Sequence, residues 1–166
     1  MNTPANATPL SRLWALGGLE DLQPLAQLAA RYVIAGVFFR SGLTKIDDWE
    51  TTVALFTYEY QVPLLSPEVA AALATSAELV LPALLLFGLA GRFAALGLFI
   101  LNIVAVISVA EMPVAALQQH IFWGSLLLGL LLWGPGRWSL DRFVWPWAGA
   151  RLLGSTFSAG AVRSFT

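Results

Sequence analysis

The chain contains no cysteine, a single histidine and few charged residues. The absence of cysteine excludes disulfide bonds, thiol redox chemistry and thiolate metal ligands. One histidine offers no pair of haem ligands and little basis for a metal site, so we predict no metal. Charged residues make up only 11% of the 166 residues, against about 25% in soluble domains. With 58% hydrophobic residues, the composition predicts an integral membrane protein, and the net charge of -1 argues against nucleic acid as a partner.

Four stretches are long and apolar enough to cross a bilayer, which requires about 20 residues. They run over 24–45, 67–90, 92–110 and 113–133. Pro24, Pro67 and Pro113 suit the first position of a helix, where a backbone N–H is not needed. The connections between the last three stretches are very short, so consecutive helices must be antiparallel neighbours. The expected fold is an all-α bundle of four transmembrane helices.

The basic residues predict the orientation of this bundle. Six arginines fall on the side shared by both termini and the second connection: Arg12, Arg92, Arg137, Arg142, Arg151 and Arg163. The opposite side has Lys45, with Arg40 just inside it, so the positive-inside rule places both termini in the cytoplasm. We therefore divide the chain into a cytoplasmic or interfacial segment 1–23, a membrane domain 24–133 and a cytoplasmic or interfacial tail 134–166.

Two segments outside the spans have amphipathic character. In the first connection, Asp47 or Asp48 can cap a helix, and Trp49, Val53, Phe56 and Tyr60 recur at helical spacing. This pattern predicts a helix that lies on the outer membrane surface or covers the bundle as a lid. In the tail, Ser139 can cap an interfacial helix that carries Phe143, Trp145 and Trp147.

Several polar residues fall inside the predicted spans, and Glu78 is the deepest. The candidates for a buried polar or ligand-binding site are Arg31, Arg40, Glu78, Asn102, Glu111 and His120. A carboxylate at mid-bilayer costs roughly 2.5–3.5 kcal/mol on insertion scales, so Glu78 should have a cationic partner or stay protonated. Arg31 and Arg40 are nine residues apart and point to opposite helix faces, so at most one of them can pair with Glu78. Depth alone allows either arginine and the sequence does not decide between them; we favour Arg31, because Arg40 is nearer its interface and can extend outward to water.

The same depths predict a polar pocket that opens to the extracytoplasmic side. Arg40, Lys45, Glu111 and His120 all fall in the outer half of the bundle, above Glu78. Simpler interpretations exist: Arg40 and Lys45 can anchor a helix end, and His120 can hydrogen-bond a neighbouring helix. Arg31 and Glu78 can be a structural pair. The residues alone do not choose between these interpretations.

The segments Arg31–Lys45, Ala77–Leu79, Leu86–Arg92 and Gly134–Asp141 together resemble the DoxX family, over roughly 29–142. The resemblance implies a small four-helix protein of the bacterial inner membrane. Some members are named as subunits of a quinol oxidase or are linked to redox and oxidative-stress systems. The bundle is also similar to that of vitamin K epoxide reductase, but the missing cysteines prevent any transfer of its thiol chemistry.

Three functions are then open. The first, which the resemblance favours, is a redox-associated subunit that binds a quinone-type ligand or supports a partner oxidoreductase. The second is passage or delivery of a small solute, proton or metal ion through the outward polar pocket, for which a homodimer would supply volume that four helices lack. The third is a membrane assembly scaffold whose polar pairs are only structural. Whether the protein is an enzyme is left open by the sequence.

Overall fold

A computed structural model describes residues 19–142, except 61 and 63, together with residue 144. This part of the chain is helical apart from its connections and one isolated β-bridge between Tyr60 and Val109. The helices are α1 (Leu19–Asp47), α2 (Trp49–Tyr58), α3 (Pro67–Phe87), α4 (Gly91–Ser108) and α5 (Val114–Trp133). Consecutive long helices run antiparallel, and α1 packs on α3, α3 on α4, α4 on α5 and α5 on α1.

Four of these helices, α1, α3, α4 and α5, are long and apolar enough to cross a membrane. Only 17–33% of each span is buried inside the bundle, and large apolar side chains such as Val80, Ile107 and Ile121 are more than half exposed. Soluble proteins rarely expose an apolar surface of this extent to water, whereas contact with lipid chains is compatible with it. The protein is therefore a multi-pass membrane protein, as the composition predicts.

The prolines mark helix starts less uniformly than expected. Pro67 is the first residue of α3, as predicted, and Pro113 is the residue that precedes α5. Pro24 lies inside α1, which begins five residues earlier at Leu19, so the predicted start of the first helix is wrong. Near a helix end a proline removes a single backbone hydrogen bond, which the helix tolerates at that position.

The connection between α1 and α3 contains the predicted short helix. Asp48 accepts a hydrogen bond from the Thr51 N–H at 3.0 Å and so caps α2. Phe56 is buried against Ala70 and Ala71 in the first two turns of α3. Helix α2, rather than α1, therefore covers the first half of α3. Of the three predicted lid residues, Phe56 and Tyr60 pack together edge-to-face with ring centres 5.1 Å apart, whereas Trp49 is largely exposed.

The two ends of the bundle differ. We call the end that carries Arg92, Arg137 and Arg142 the arginine end, and the opposite one the α2 end. At the arginine end the segment 134–142 folds back onto the α3–α4 turn, where the N–H groups of Leu140 and Asp141 donate to the Phe87 and Gly88 carbonyls. The predicted interfacial helix with Phe143, Trp145 and Trp147 lies outside the described residues.

Candidate functional site

One face of α1 is turned into the bundle. The residues of this face follow at spacings of three or four and are buried or half-buried: Arg31, Ala35, Phe38, Gly42 and Lys45. At Gly42 the two helices approach closely, since a Cβ there would lie 2.9 Å from the Leu79 side chain and 3.1 Å from the Cβ of Glu78. Small residues permit such close approach between membrane helices. The approach brings the end of α1 beside the middle of α3.

The cation that pairs with Glu78 is Lys45. Its Nζ lies 2.6 Å from Oε2 of Glu78 and donates a second hydrogen bond to Oγ of Ser41 at 2.8 Å. The side chains of Lys45 and Glu78 are only 19% and 11% exposed. The expectation that a cation from the neighbouring span neutralises Glu78 is therefore confirmed.

The choice of Arg31 as that cation was wrong, and the helix levels explain why. The predicted spans put the end of the first helix, at residue 45, level with the start of the second, at residue 67. Lys45 was therefore expected well outside the level of Glu78. In the structure α2 covers the beginning of α3, so Lys45, near the end of α1, reaches the level of Glu78. Arg40 is exposed and forms no ion pair with a described residue.

The surroundings of the Lys45–Glu78 pair come from α2 and α3. Thr52 donates its hydroxyl to the Lys45 carbonyl at 3.1 Å, which ties α2 to the end of α1. Burial raises the pKa of the Tyr60 hydroxyl, and the negative charges of Glu59 and Glu78 raise it further. One turn before Glu78, the Thr75 hydroxyl is buried and has no hydrogen-bond partner among the described residues.

Arg31 has a different role, at the arginine end. Its side chain is buried, with 1% exposed, and Nη2 donates to the Trp138 carbonyl at 2.6 Å. The described residues provide no partner for its Nε and Nη1. Gly88 leaves the space that this guanidinium occupies, and its φ of +67° also favours glycine. Arg31 thus holds the segment 134–142 against the bundle.

A second polar pair joins α4 and α5. Asn102 donates Nδ2 to the His120 carbonyl at 3.0 Å, and its Oδ1 lies 2.8 Å from Nδ1 of the His120 ring. With the amide fixed in this way, Oδ1 must accept, so the neutral ring carries its proton on Nδ1 and leaves Nε2 as an acceptor. Gly124 gives Asn102 room, because a Cβ there would lie 3.3 Å from Nδ2.

This second pair lies in the wall of a groove of about 330 Å³ between α4 and α5. Most of the groove is apolar, with Phe99, Ile103 and Leu128 among its walls. The Trp123 and His120 rings pack edge-to-face with ring centres 5.0 Å apart, and the Phe38 and Trp123 rings also pack edge-to-face. The groove therefore presents one polar pair in an apolar cleft on the side of the bundle.

Within the described residues, Arg40, Lys45, Glu111 and His120 are not brought together in one cluster. Lys45 joins Glu78, His120 joins Asn102, and Arg40 and Glu111 are exposed without an ion pair in the described part of the chain. Helices α3 and α5 lie on opposite sides of α1 and α4, which keeps the two pairs apart. Within the described residues there is no group of three metal-ligating side chains.

Two contacts of the site were not found from sequence. The simpler interpretation of Lys45 was a helix-end anchor, although Lys45 shares a helix face with Arg31 and Gly42. Asp141 accepts from the N–H groups of Ala90 and Gly91 at 2.7 and 2.8 Å and so caps α4 from a distant segment. The resemblance singled out the segment Gly134–Asp141, but its partner at the start of α4 depends on tertiary packing that the sequence does not reveal.

The fold and these pairs define a small four-span helical membrane protein with two buried polar contacts between helices. The sequence profile of the DoxX family matches residues 26–111, just over half of the chain, and the chain belongs to that family. No curated protein and no solved structure matches the chain.

Proposed function

We propose that the protein is a redox-associated membrane subunit whose groove between α4 and α5 binds a quinone-type ligand on behalf of a partner oxidoreductase. The observation that carries this proposal is the Asn102–His120 pair in the wall of the apolar groove. Ligand sites are mostly apolar clefts of about 300–1,000 Å³ with a few polar groups that orient the ligand. A groove of about 330 Å³ with one such pair fits the head group of a lipid-soluble ring compound.

The chemistry of His120 favours the reduced form of such a ligand. With Nδ1–H engaged by Asn102, the neutral ring offers Nε2 as a hydrogen-bond acceptor. A quinol hydroxyl can donate to Nε2, whereas a quinone carbonyl can only accept. His120 would then accept one of the two protons that quinol oxidation releases, and Asn102 would hold the ring in the required tautomer. The second proton and both electrons would pass to the partner oxidoreductase.

The electrons require a second protein. When bound, a quinone-type ligand supplies two-electron, two-proton chemistry in the bilayer. The chain has no cysteine and one histidine, so it offers no ligand set for an iron–sulfur cluster or a bis-histidine haem. The partner oxidoreductase would hold the electron acceptor. We place this complex in the bacterial inner membrane, with both termini of the chain cytoplasmic, on the strength of the family and the arginine distribution.

The test is the quinone content of the purified protein. We expect quinol or quinone to co-purify with the wild type and to be lost with His120→Ala and with Asn102→Leu. Ser125→Ala is the matched control, because Ser125 also lines the groove but its hydroxyl bonds to Ile121 of its own helix. Equal quinone content in the wild type and His120→Ala would contradict the proposal.

A second candidate function is passage of a proton or small cation along α3. The supporting observation is the unpartnered Thr75 hydroxyl one turn from the Lys45–Glu78 pair. Buried ionisable residues commonly mark such pathways in membrane proteins. Flux in reconstituted liposomes that disappears with Thr75→Val, while the quinone content is unchanged, would favour this candidate over the first.

A further inference from the structure

A cavity of about 840 Å³ lies at the arginine end of the bundle, away from both polar pairs. The ends of α1, α4 and α5 form one side of it, and the segment 134–142 forms the other. Three arginines line the cavity: Arg92, Arg137 and Arg142. All three are exposed, and none forms an ion pair with a described residue.

Among the described residues, Asp141 is the only carboxylate in the lining, and it is already engaged. Both of its oxygens accept from backbone N–H groups at the start of α4, at 2.7 and 2.8 Å. Three positive charges against one negative leave the cavity with an excess of two positive charges. An anion is therefore the ligand that the cavity attracts.

Hydrogen bonds to α1 fix the segment that forms one wall of the cavity. Arg31 donates to the Trp138 carbonyl at 2.6 Å, and Gln27 donates to the Gly134 carbonyl at 3.3 Å. These two hydrogen bonds hold Gly134 and Trp138, on either side of Arg137, against α1. Contacts with α1 on either side of Arg137 thus hold this residue in the wall of the cavity, although its own side chain does not make them.

The rim of the cavity is apolar and faces outward. Phe93 and Trp133 both line it and are 65% and 68% exposed. Because three spanning helices end here, the cavity lies at the level where a bilayer meets water. A soluble phosphate compound would gain nothing from the apolar rim, whereas a phospholipid presents a phosphate to the arginines and acyl chains to Phe93 and Trp133.

We propose that the cavity lined by Arg92, Arg137 and Arg142 binds the head group of an anionic phospholipid. Basic cavities between transmembrane helices take such head groups, and each nearby arginine contributes about 1 kcal/mol, equivalent to about a fivefold change in affinity. The bound lipid bridges α1, α4, α5 and the segment 134–142, and thereby stabilises the packing of this segment on the bundle.

The test measures lipid affinity of the purified full-length protein by native mass spectrometry, with phosphatidylglycerol, phosphatidylcholine and inorganic phosphate as separate probes. We expect retention of phosphatidylglycerol over phosphatidylcholine, weakened by salt. Arg137→Gln should lower the affinity about fivefold, and replacing all three arginines by glutamine should lower it about a hundredfold. Arg40→Gln is the matched control, because Arg40 is an exposed arginine in the other half of α1.

Three results would overturn the proposal. They are an unchanged phosphatidylglycerol affinity in Arg137→Gln, an equal loss in Arg40→Gln, and displacement of the lipid by inorganic phosphate at equal concentration. The last would assign the cavity to a soluble anion. If the triple variant does not fold, Arg137→Gln decides alone, since the Arg137 side chain makes no hydrogen bond within the described part of the chain.

Discussion

At the scale of single residues, Glu78 shows how a carboxylate is accommodated at lipid depth. Lys45 neutralises it at 2.6 Å, and Ser41 takes a further hydrogen bond from the same Nζ. Removing one partner of a buried pair leaves an uncompensated charge and costs about 3–5 kcal/mol, whereas removing both partners is often nearly neutral. The energetic cost of a change at this pair therefore depends on whether the charges remain balanced.

The pair can be tested by a double-mutant cycle. Lys45→Gln and Glu78→Gln should each lower the free energy of unfolding in detergent by about 3–5 kcal/mol, and the double variant should lose much less than the sum. Arg40→Gln, an exposed arginine five residues before Lys45, should have little effect. Additive losses in the double variant would show that Lys45 and Glu78 do not interact. The cycle should leave the quinone content unchanged, because the proposed ligand groove is separate from the pair.

At the scale of helices, the α1–α3 contact depends on a glycine at the point of closest approach. A methyl group at Gly42 would lie 2.9 Å from Leu79, so α1 must move away from α3 to accept it. Gly36, on the same helix, has nothing within 4 Å of the corresponding position. The two glycines therefore make a matched comparison of packing against helix propensity.

Gly42→Ala should lower the free energy of unfolding by about 1–3 kcal/mol through overpacking, and should weaken the Lys45–Glu78 pair that depends on this approach. Gly36→Ala should be neutral or stabilising, because alanine favours a helix over glycine by up to about 1 kcal/mol. Thermal unfolding of both variants in the same detergent measures the difference. Equal effects of the two substitutions would mean that the α1–α3 distance is not set at Gly42.

The spans and their order follow from hydropathy, because each is a local run of about 20 apolar residues. The buried face of α1 also follows from spacing, since Arg31, Phe38 and Gly42 recur at helical intervals. The pairing of side chains between helices does not follow. It depends on how far neighbouring helices are displaced along their axes. Because α2 packs on the start of α3, the end of α1 meets the middle of α3, and no local sequence pattern predicts this displacement.

The same reasoning applies to His120. Its presence in the fourth span is evident from sequence, but its partner depends on the register of α4 against α5. Gly124 sets that register by admitting Asn102 beside the His120 carbonyl. The hydrogen bond to a neighbouring helix that was expected for His120 is present, and it leaves the ligand role of the ring as a proposal.

At the scale of the whole molecule, the bundle separates three polar regions. The Lys45–Glu78 pair joins α1 to α3, the Asn102–His120 pair joins α4 to α5, and the arginine cavity lies at one end. We assign stability to the Lys45–Glu78 pair, ligand chemistry to the Asn102–His120 pair and lipid contact to the arginine cavity. Changes in one region should therefore leave the readout of the others intact.

The central claim concerns the protonation of the His120 ring, and a single experiment addresses it. The chain has one histidine, so ¹⁵N-histidine labelling of protein without a histidine tag gives the signals of this residue alone. We expect a neutral ring with its proton on Nδ1, and a shift of the Nε2 resonance when a quinol analogue is added to the protein in lipid bilayers. A proton on Nε2, or a spectrum that the analogue leaves unchanged, would contradict the account.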